Sequence, residues 1–142
     1  MKRAGTYLSA SFDAHRPITP VRIINPETKR EVVVPALWDT GADTSVILKG
    51  TADFLGLHRS EKEGTALTLG GKATGKATAA IALPGDFGKA ILVYPFEVES
   101  LTQGIDFVIG MDIIAQGDLT ILTRGGKLTI LYTFGKKFFD LP

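Results

Sequence analysis

The feature that most constrains the fold is an alternation of apolar and polar residues with a period of two, repeated between glycine- and proline-containing turns. Successive side chains of a β-strand point to opposite faces, so this period is typical of strands with one buried face. The clearest example is a predicted hairpin around the turn Gly125-Gly126, with these alternating residues: Leu119, Ile121, Thr123, Leu128, Ile130, Tyr132 and Phe134. Short strands at this spacing predict an all-β fold, a barrel or a sandwich.

Other alternating runs predict further strands, at residues 21–23, 67–69, 79–83 and 90–98, and a continuous apolar run, 32–38, predicts one more. Within the run 90–98, Pro95 lies on the opposite face and indicates a sheet edge or a bulge.

Two short segments are predicted to be helical. One is 49–55, ended by Gly56, and the other is 111–116, ended by Gly117. Residues 1–20 and 135–142 are the least patterned, so we interpret them as an N-terminal extension and a tail of a single domain, 1–142.

Composition excludes several classes of function. The chain has 142 residues with 44% hydrophobic residues, which fits one domain with a core. Sixteen Lys and Arg against fifteen Asp and Glu leave a net charge of +1, which argues against nucleic-acid binding through bulk charge. The absence of cysteine excludes disulfides, thiolate metal sites and a cysteine nucleophile, and two distant histidines, His15 and His58, disfavour a zinc site.

The distribution of apolar residues also predicts where in the cell the protein is located. No apolar run approaches membrane-spanning length and no signal peptide is visible, so we expect a cytoplasmic protein without a membrane partner. The lack of cysteine and the two distant histidines lead us to expect no metal, and no cofactor is expected.

One segment combines an apolar strand, an acid and a tight loop. Residues 36–47 place Asp39 directly after a strand and before Thr40-Gly41-Ala42, and a second apolar strand follows. In such a loop, backbone N–H groups can hydrogen-bond the carboxylate and hold it rigidly. An ordinary Asp-Thr-Gly turn between strands is the alternative interpretation, because aspartate and glycine are common turn residues.

A second segment, 105–114, continues an apolar strand into Val108-Ile109-Gly110 and then a short helix. With Asp39-Thr40-Gly41-Ala42 and the glycine-rich hairpin near Gly70-Gly71, this ordered set resembles the retroviral-type, or retropepsin-like, aspartic proteases. The resemblance covers roughly residues 32–122. It implies a small closed β-barrel with one or two short helices and a homodimer that hydrolyses polypeptides.

The resemblance also implies roles for individual residues around a shared pair of acids. Asp39 of each chain would form the catalytic dyad, Thr40 would bond across the dimer axis, and Gly41 would allow a close approach. The chain contains a single Asp-Thr-Gly, and the chemistry needs two adjacent carboxylates, one protonated and one ionised. A twofold axis supplies the second copy.

Further positions would bind substrate or support the loop. The residues implied to bind substrate are Ala42, Asp43, Gly70, Gly71, Lys72 and Ala73, the last four as a flap over the peptide. Val108, Ile109 and Gly110 would form the structural motif behind the acid. For Gly70-Gly71, a plain hairpin turn remains the alternative, and for Asp43 a solvated loop acid.

Two positions depart from the usual pattern of the family. Trp38 replaces a smaller apolar residue beside the acid, and Met111 stands where viral members often have arginine. Gly110-Met111-Asp112 is closer to the cellular members, such as the domain of DNA-damage-inducible ubiquitin-receptor proteins, and to bacterial relatives.

The sequence has two alternative interpretations besides peptide hydrolysis. A retropepsin fold could serve as a catalytically silent dimerisation or peptide-binding module, although such a module needs no acid at the strand end. Residues 70–76 match the spacing of a phosphate-binding loop, but Ala77 replaces the required Ser or Thr and a strand pattern follows.

Overall fold

The structure is a computed structural model, which describes residues 6–11, 15–59, 65–68, 71–74, 77, 79–82 and 90–134. The strands are β1 (Thr6–Ser11), β2 (Ile18–Ile24), β3 (Glu31–Trp38), β4 (Val46–Leu48), β5 (Thr65–Thr68), β6 (Gly71–Thr74), β7 (Ala79–Ala82), β8 (Ala90–Val93), β9 (Phe96–Val98), β10 (Phe107–Ile109), β11 (Gly117–Arg124) and β12 (Lys127–Phe134). The helices are α1 (Lys49–Leu55) and α2 (Met111–Ile114). The mainly β class predicted from the alternation is confirmed.

A seven-stranded sheet with the order β8-β7-β2-β3-β10-β4-β9 forms the body of the protein. Strand β10 pairs parallel with β3, with Ile109 opposite Trp38, and antiparallel with β4, with Val108 opposite Val46. Because β3 and β4 are consecutive in the chain, β10 lies between the two strands that flank the Asp39 loop. This insertion places the predicted Val108-Ile109-Gly110 motif directly behind the acid.

The described residues form open sheets, not the closed barrel expected from the sequence. The end strands β8 and β9 are separated by only Tyr94 and Pro95, yet no ladder joins them in the described part of the chain. The alternating run 90–98, predicted as one strand, breaks at Pro95, which has no N–H to donate. Its two halves pair with β7 and β4, at opposite ends of the sheet.

The predicted hairpin near the end of the chain is confirmed as β11 and β12, with Ile121 opposite Ile130. Its turn glycines have φ of 60° at Gly125 and 76° at Gly126, values that favour glycine. Strand β1 completes a three-stranded sheet, in the order β1-β12-β11, which we call the terminal sheet. Within the segment 1–20, interpreted as an N-terminal extension, residues 6–11 belong to β1 and residues 18–20 belong to β2. The predicted tail, 135–142, lies outside the described residues.

Helix α1 has the predicted bounds and ends at Gly56, whose φ of 64° closes the last turn. Helix α2 ends at Ile114, short of the predicted 116, because Gly117 already pairs with Phe134 in the terminal sheet. Within the described ranges, no helix has the length and apolar character required to cross a bilayer.

The two strands of the terminal hairpin differ in burial. The inward side chains of β12, Leu128, Ile130 and Tyr132, are buried in the main core. On β11, by contrast, Ile121 is 41% exposed and Leu122 is 55% exposed. The buried face predicted for the hairpin is therefore supplied mainly by β12, and on β11 the partly buried Leu119 also packs against the core.

Candidate active site

Asp39 lies at the end of β3, in a loop whose backbone is tied to β10. Its N–H donates to the carbonyl oxygen of Ile109 at 2.9 Å, and its own carbonyl accepts the N–H of Ala42 at 3.2 Å. The Oδ1 atom of Asp39 accepts the N–H of Gly41 at 2.9 Å. The residue is half-buried. The loop therefore orients a carboxylate that solvent can still reach, by the kind of backbone hydrogen bond expected from the sequence.

The residues that follow Asp39 turn toward solvent. Thr40, Gly41 and Asp43 are exposed, and Ala42 is half-buried. A Cβ added at Gly41 would lie 3.2 Å from Oδ1 of Asp39, closer than most real contacts, so a side chain there would press on the carboxylate. Glycine thus leaves the carboxylate in its hydrogen-bonded position and keeps this side of the loop open.

Helix α2 holds the far half of the loop through its first two N–H groups. The N–H of Met111 donates to the carbonyl of Ala42 at 2.7 Å, and that of Asp112 donates to the carbonyl of Asp43 at 3.2 Å. The preceding Gly110 permits this approach, because a Cβ there would lie 2.8 Å from the carbonyl oxygen of Ala42. The glycine of the predicted motif is required by sterics.

A buried serine connects the same two segments, and sequence reasoning missed it. The side chain of Asp112 accepts the N–H of Ser45 at 3.0 Å and its hydroxyl at 2.7 Å. The same hydroxyl accepts the N–H of Gly110 at 3.0 Å. The only sequence signals were a polar residue before an apolar strand and an acid in the first helical turn. Nothing local pairs two residues that are 67 positions apart.

The predicted flap falls on a hairpin made by β5 and β6. Gly71, Lys72 and Ala73 lie in β6, with Gly71 opposite Thr68 in an antiparallel register. Gly70 lies outside the described residues. The phosphate-loop reading is not supported, because β6 is followed by the strand β7 and not by a helix.

An ion-pair cluster beside this hairpin was also missed. The Nε and one terminal nitrogen of Arg59 donate to the two carboxylate oxygens of Glu97, at 2.7 and 2.8 Å, and Arg59 also binds Asp53. Hydrogen bonding to Glu97 raises the pKa of Arg59 above its usual range. Hydrogen bonds from Lys49 and Arg59 lower the pKa of Asp53. Arg59 also forms a β-bridge with Ala77, so this residue connects the chain before β5 to the chain after β6.

Possible metal ligands do not gather in the part of the chain that the structure describes. There, no group of three or more His, Cys, Asp or Glu side chains could hold a metal ion.

Comparisons with known proteins address the fold. No protein-family model matches the chain, and no curated protein sequence matches it. Among solved structures, a retropepsin-like aspartic protease from Rickettsia conorii is similar at 15% identity with a TM-score of 0.51, over 95% of this chain and 100% of that chain.

Two further structures are similar at lower TM-scores. The EIAV protease in complex with the inhibitor HBY-793 has 24% identity and a TM-score of 0.47, over 70% of this chain and 86% of that one. The retroviral protease-like domain of Ddi1 from Leishmania major has 23% identity and a TM-score of 0.47, over 84% of this chain and 95% of that one. On the match to the Rickettsia structure, together with the placement of β10 and α2 behind the Asp39 loop, the chain has the retropepsin-like fold.

Proposed function

We propose that the protein is an aspartic endopeptidase that acts as a homodimer, each chain contributing Asp39 to one shared dyad. The observation that carries this proposal is the Asp39 loop itself. Its carboxylate is oriented by the N–H of Gly41, its backbone is tied to β10 and α2, and its outer side is exposed. A carboxylate held in this way is suited to general acid–base work, because its position does not depend on substrate.

The need for a second copy follows from the chemistry. Two carboxylates in contact share a proton, so one can take a proton from water while the other polarises the scissile carbonyl. The chain has one Asp-Thr-Gly, so the partner acid comes from a second chain. The exposed Thr40 and Gly41 leave the loop free to face its copy, where the Thr40 hydroxyl would bond across the axis.

The remaining site residues act on the substrate in this proposal. Ala42 and Asp43 hydrogen-bond the peptide backbone beside the dyad. The β5–β6 hairpin, which includes residues 71–73, covers the peptide and excludes water. Water adds to the scissile carbonyl to form a gem-diol while one carboxylate of the dyad takes its proton. The dyad then gives a proton to the amine nitrogen as the C–N bond breaks, which releases the two peptide products with no covalent intermediate on the protein.

The decisive experiment replaces the acid by its amide. Asp39→Asn removes the ionisable group at nearly unchanged volume, so we expect peptide cleavage to fall by at least about 1,000-fold while the fold is kept. Glu27→Gln is the matched control, because it makes the same chemical change at an exposed acid in the turn between β2 and β3. The measurement is cleavage of a denatured protein substrate, with circular dichroism of each variant.

Two outcomes would contradict the proposal. Full cleavage by purified Asp39→Asn protein would assign the activity elsewhere. Absence of cleavage by the wild type, with retained binding of peptides, would favour the silent peptide-binding module instead.

A further inference from the structure

Tyr132 contacts both β3, which leads into the Asp39 loop, and α2, which lies behind that loop. Its side chain is fully buried and is the largest of the fully buried side chains described. Its ring packs against the ring of Trp38, with centroids 5.4 Å apart and an interplanar angle of 47°. Its hydroxyl donates to the carbonyl oxygen of Ile113, in α2, at 2.6 Å.

The two groups that Tyr132 contacts hold opposite ends of the loop. Trp38 is the residue directly before Asp39, and its indole N–H donates to the Thr19 hydroxyl on β2 at 2.8 Å. Helix α2 carries the N–H groups that bind the carbonyls of Ala42 and Asp43. One side chain therefore braces the strand that leads into the loop and the helix that lies behind it.

Tyr132 itself belongs to a different sheet. It lies on β12, the central strand of the terminal sheet, which shares no ladder with the seven-stranded sheet in the described ranges. The connection between the two sheets near the site is made by buried side chains and not by backbone pairing. Close-packed side chains of this kind transmit small displacements instead of absorbing them.

We propose that Tyr132 is a positioning residue, which couples the placement of the terminal sheet to the geometry of Asp39 through Trp38 and Ile113. This inference rests on the proposed function, since it takes Asp39 as the catalytic acid. Tyr132 does not touch substrate in this scheme. Its effect is on the alignment of the acid, and misplacement of a catalytic group by about 1 Å can cost roughly 100-fold in rate.

Tyr132→Phe tests the hydroxyl alone, because the ring contact with Trp38 is kept. The Ile113 carbonyl still accepts the N–H of Gln116 at 3.0 Å, so the variant leaves no orphaned acceptor and should fold. We expect kcat to fall about tenfold with KM changed less than about twofold, the pattern of lost alignment rather than lost binding. Tyr94→Phe is the matched control, because this tyrosine is 48% exposed.

A second measurement is independent of turnover. Hydrogen exchange of the Met111 and Asp112 amides reports the loop–helix bonds directly, and exchange of the Ala42 amide reports its bond to the Asp39 carbonyl within the loop. We expect Tyr132→Phe to speed exchange at these three amides about tenfold, while Tyr94→Phe does not. Trp38 is the single tryptophan of the chain, so its fluorescence should change in Tyr132→Phe as well.

The outcomes separate this inference from the proposed function. Unchanged kcat with unchanged exchange at the three amides would overturn the positioning role. Exchange that rises equally over the whole protein would also overturn it, because the role would then be general stability. Faster loop exchange in a protein whose wild type cleaves no peptide would keep the coupling and remove the proposed function.

Discussion

At the scale of single residues, the buried polar groups beside the loop each have a partner within hydrogen-bond distance. The Ser45 hydroxyl binds Asp112, the Trp38 indole binds Thr19, and the Tyr132 hydroxyl binds Ile113. A buried donor without a partner costs about 1–3 kcal/mol, so these pairs define one arrangement of the site and penalise others.

Tyr132 gives a prediction about alkaline pH. Burial, with a smaller contribution from the charge of Asp118, raises the pKa of Tyr132 above its ordinary value of 10.0. The unfolded chain loses this proton near pH 10 while the folded chain keeps it. The contribution of Tyr132 to the free energy of unfolding is therefore fully present below pH 10 and is lost as the pH rises above it.

We accordingly expect the free energy of unfolding of the wild type to fall more steeply than that of Tyr132→Phe between about pH 9 and about pH 11.5. Urea unfolding at a series of pH values measures both curves. Parallel curves would show that Tyr132 titrates alike in the folded and unfolded chains.

At the scale of elements, the site depends on how closely α2 approaches the loop after Asp39. Besides the Ser45–Asp112 contact, the two segments meet through backbone atoms around Gly110. A Cβ there would lie 2.8 Å from the carbonyl carbon of Thr44 as well as from the carbonyl oxygen of Ala42. Backbone atoms on both sides leave no flexible side chain to move away.

Gly110→Ala should therefore separate α2 from the loop, with a loss of roughly 1–3 kcal/mol or more in unfolding free energy and a loss of peptide cleavage. Gly50→Ala is the control, because in the described part of the chain a Cβ at Gly50, in α1, meets nothing within 4 Å. That variant should be neutral or up to about 1 kcal/mol more stable. Thermal and urea unfolding test both, and a Gly110→Ala protein of wild-type stability and activity would refute the steric argument.

At the scale of the whole molecule, the edge strand β11 of the terminal sheet carries apolar side chains that are exposed in the single chain. Strand β11 lies at the edge of its sheet, with Ile121 41% and Leu122 55% exposed. An exposed apolar edge strand is a ready surface for pairing with another chain. It supports β11 as part of the interface of the proposed homodimer.

Leu122→Lys should weaken that dimer by placing a charge at the interface, and Val33→Lys, at an apolar residue of β3 that is 60% exposed, is the matched control. We expect Leu122→Lys to sediment as a monomer where the wild type is dimeric. When both proteins are diluted, the specific activity of Leu122→Lys should begin to fall at a higher protein concentration than that of the wild type, because its dimer dissociates more readily.

Mixing provides an independent check on the shared site. Excess Asp39→Asn protein should suppress wild-type activity, because mixed dimers hold only one working acid. A protein that is monomeric at every concentration, yet cleaves peptide with constant specific activity, would contradict the dimer proposal.

Features set by neighbouring residues could be predicted from the sequence. The alternation at 128–134 predicts β12, Gly125-Gly126 predicts the hairpin turn, and Gly56 predicts the end of α1, because each depends on local backbone preference. The same kind of local pattern, an acid at a strand end followed by Thr40-Gly41, predicts the Asp39 loop. Its catalytic role stays a prediction.

Features set by distant pairing were decided only in the tertiary structure. The period of two was right for both strands of the terminal hairpin, but only the packing of the terminal sheet buries Ile130 and Tyr132 of β12 and leaves Ile121 of β11 exposed. Likewise, the strand pattern at 90–98 does not show that this segment is divided at Pro95 into two strands at opposite edges of the sheet. These two strands form no ladder with each other in the described residues, so the described sheets are open. The Ser45–Asp112 and Trp38–Tyr132 contacts join segments far apart in the chain, and such contacts exist only after β10 has inserted between β3 and β4.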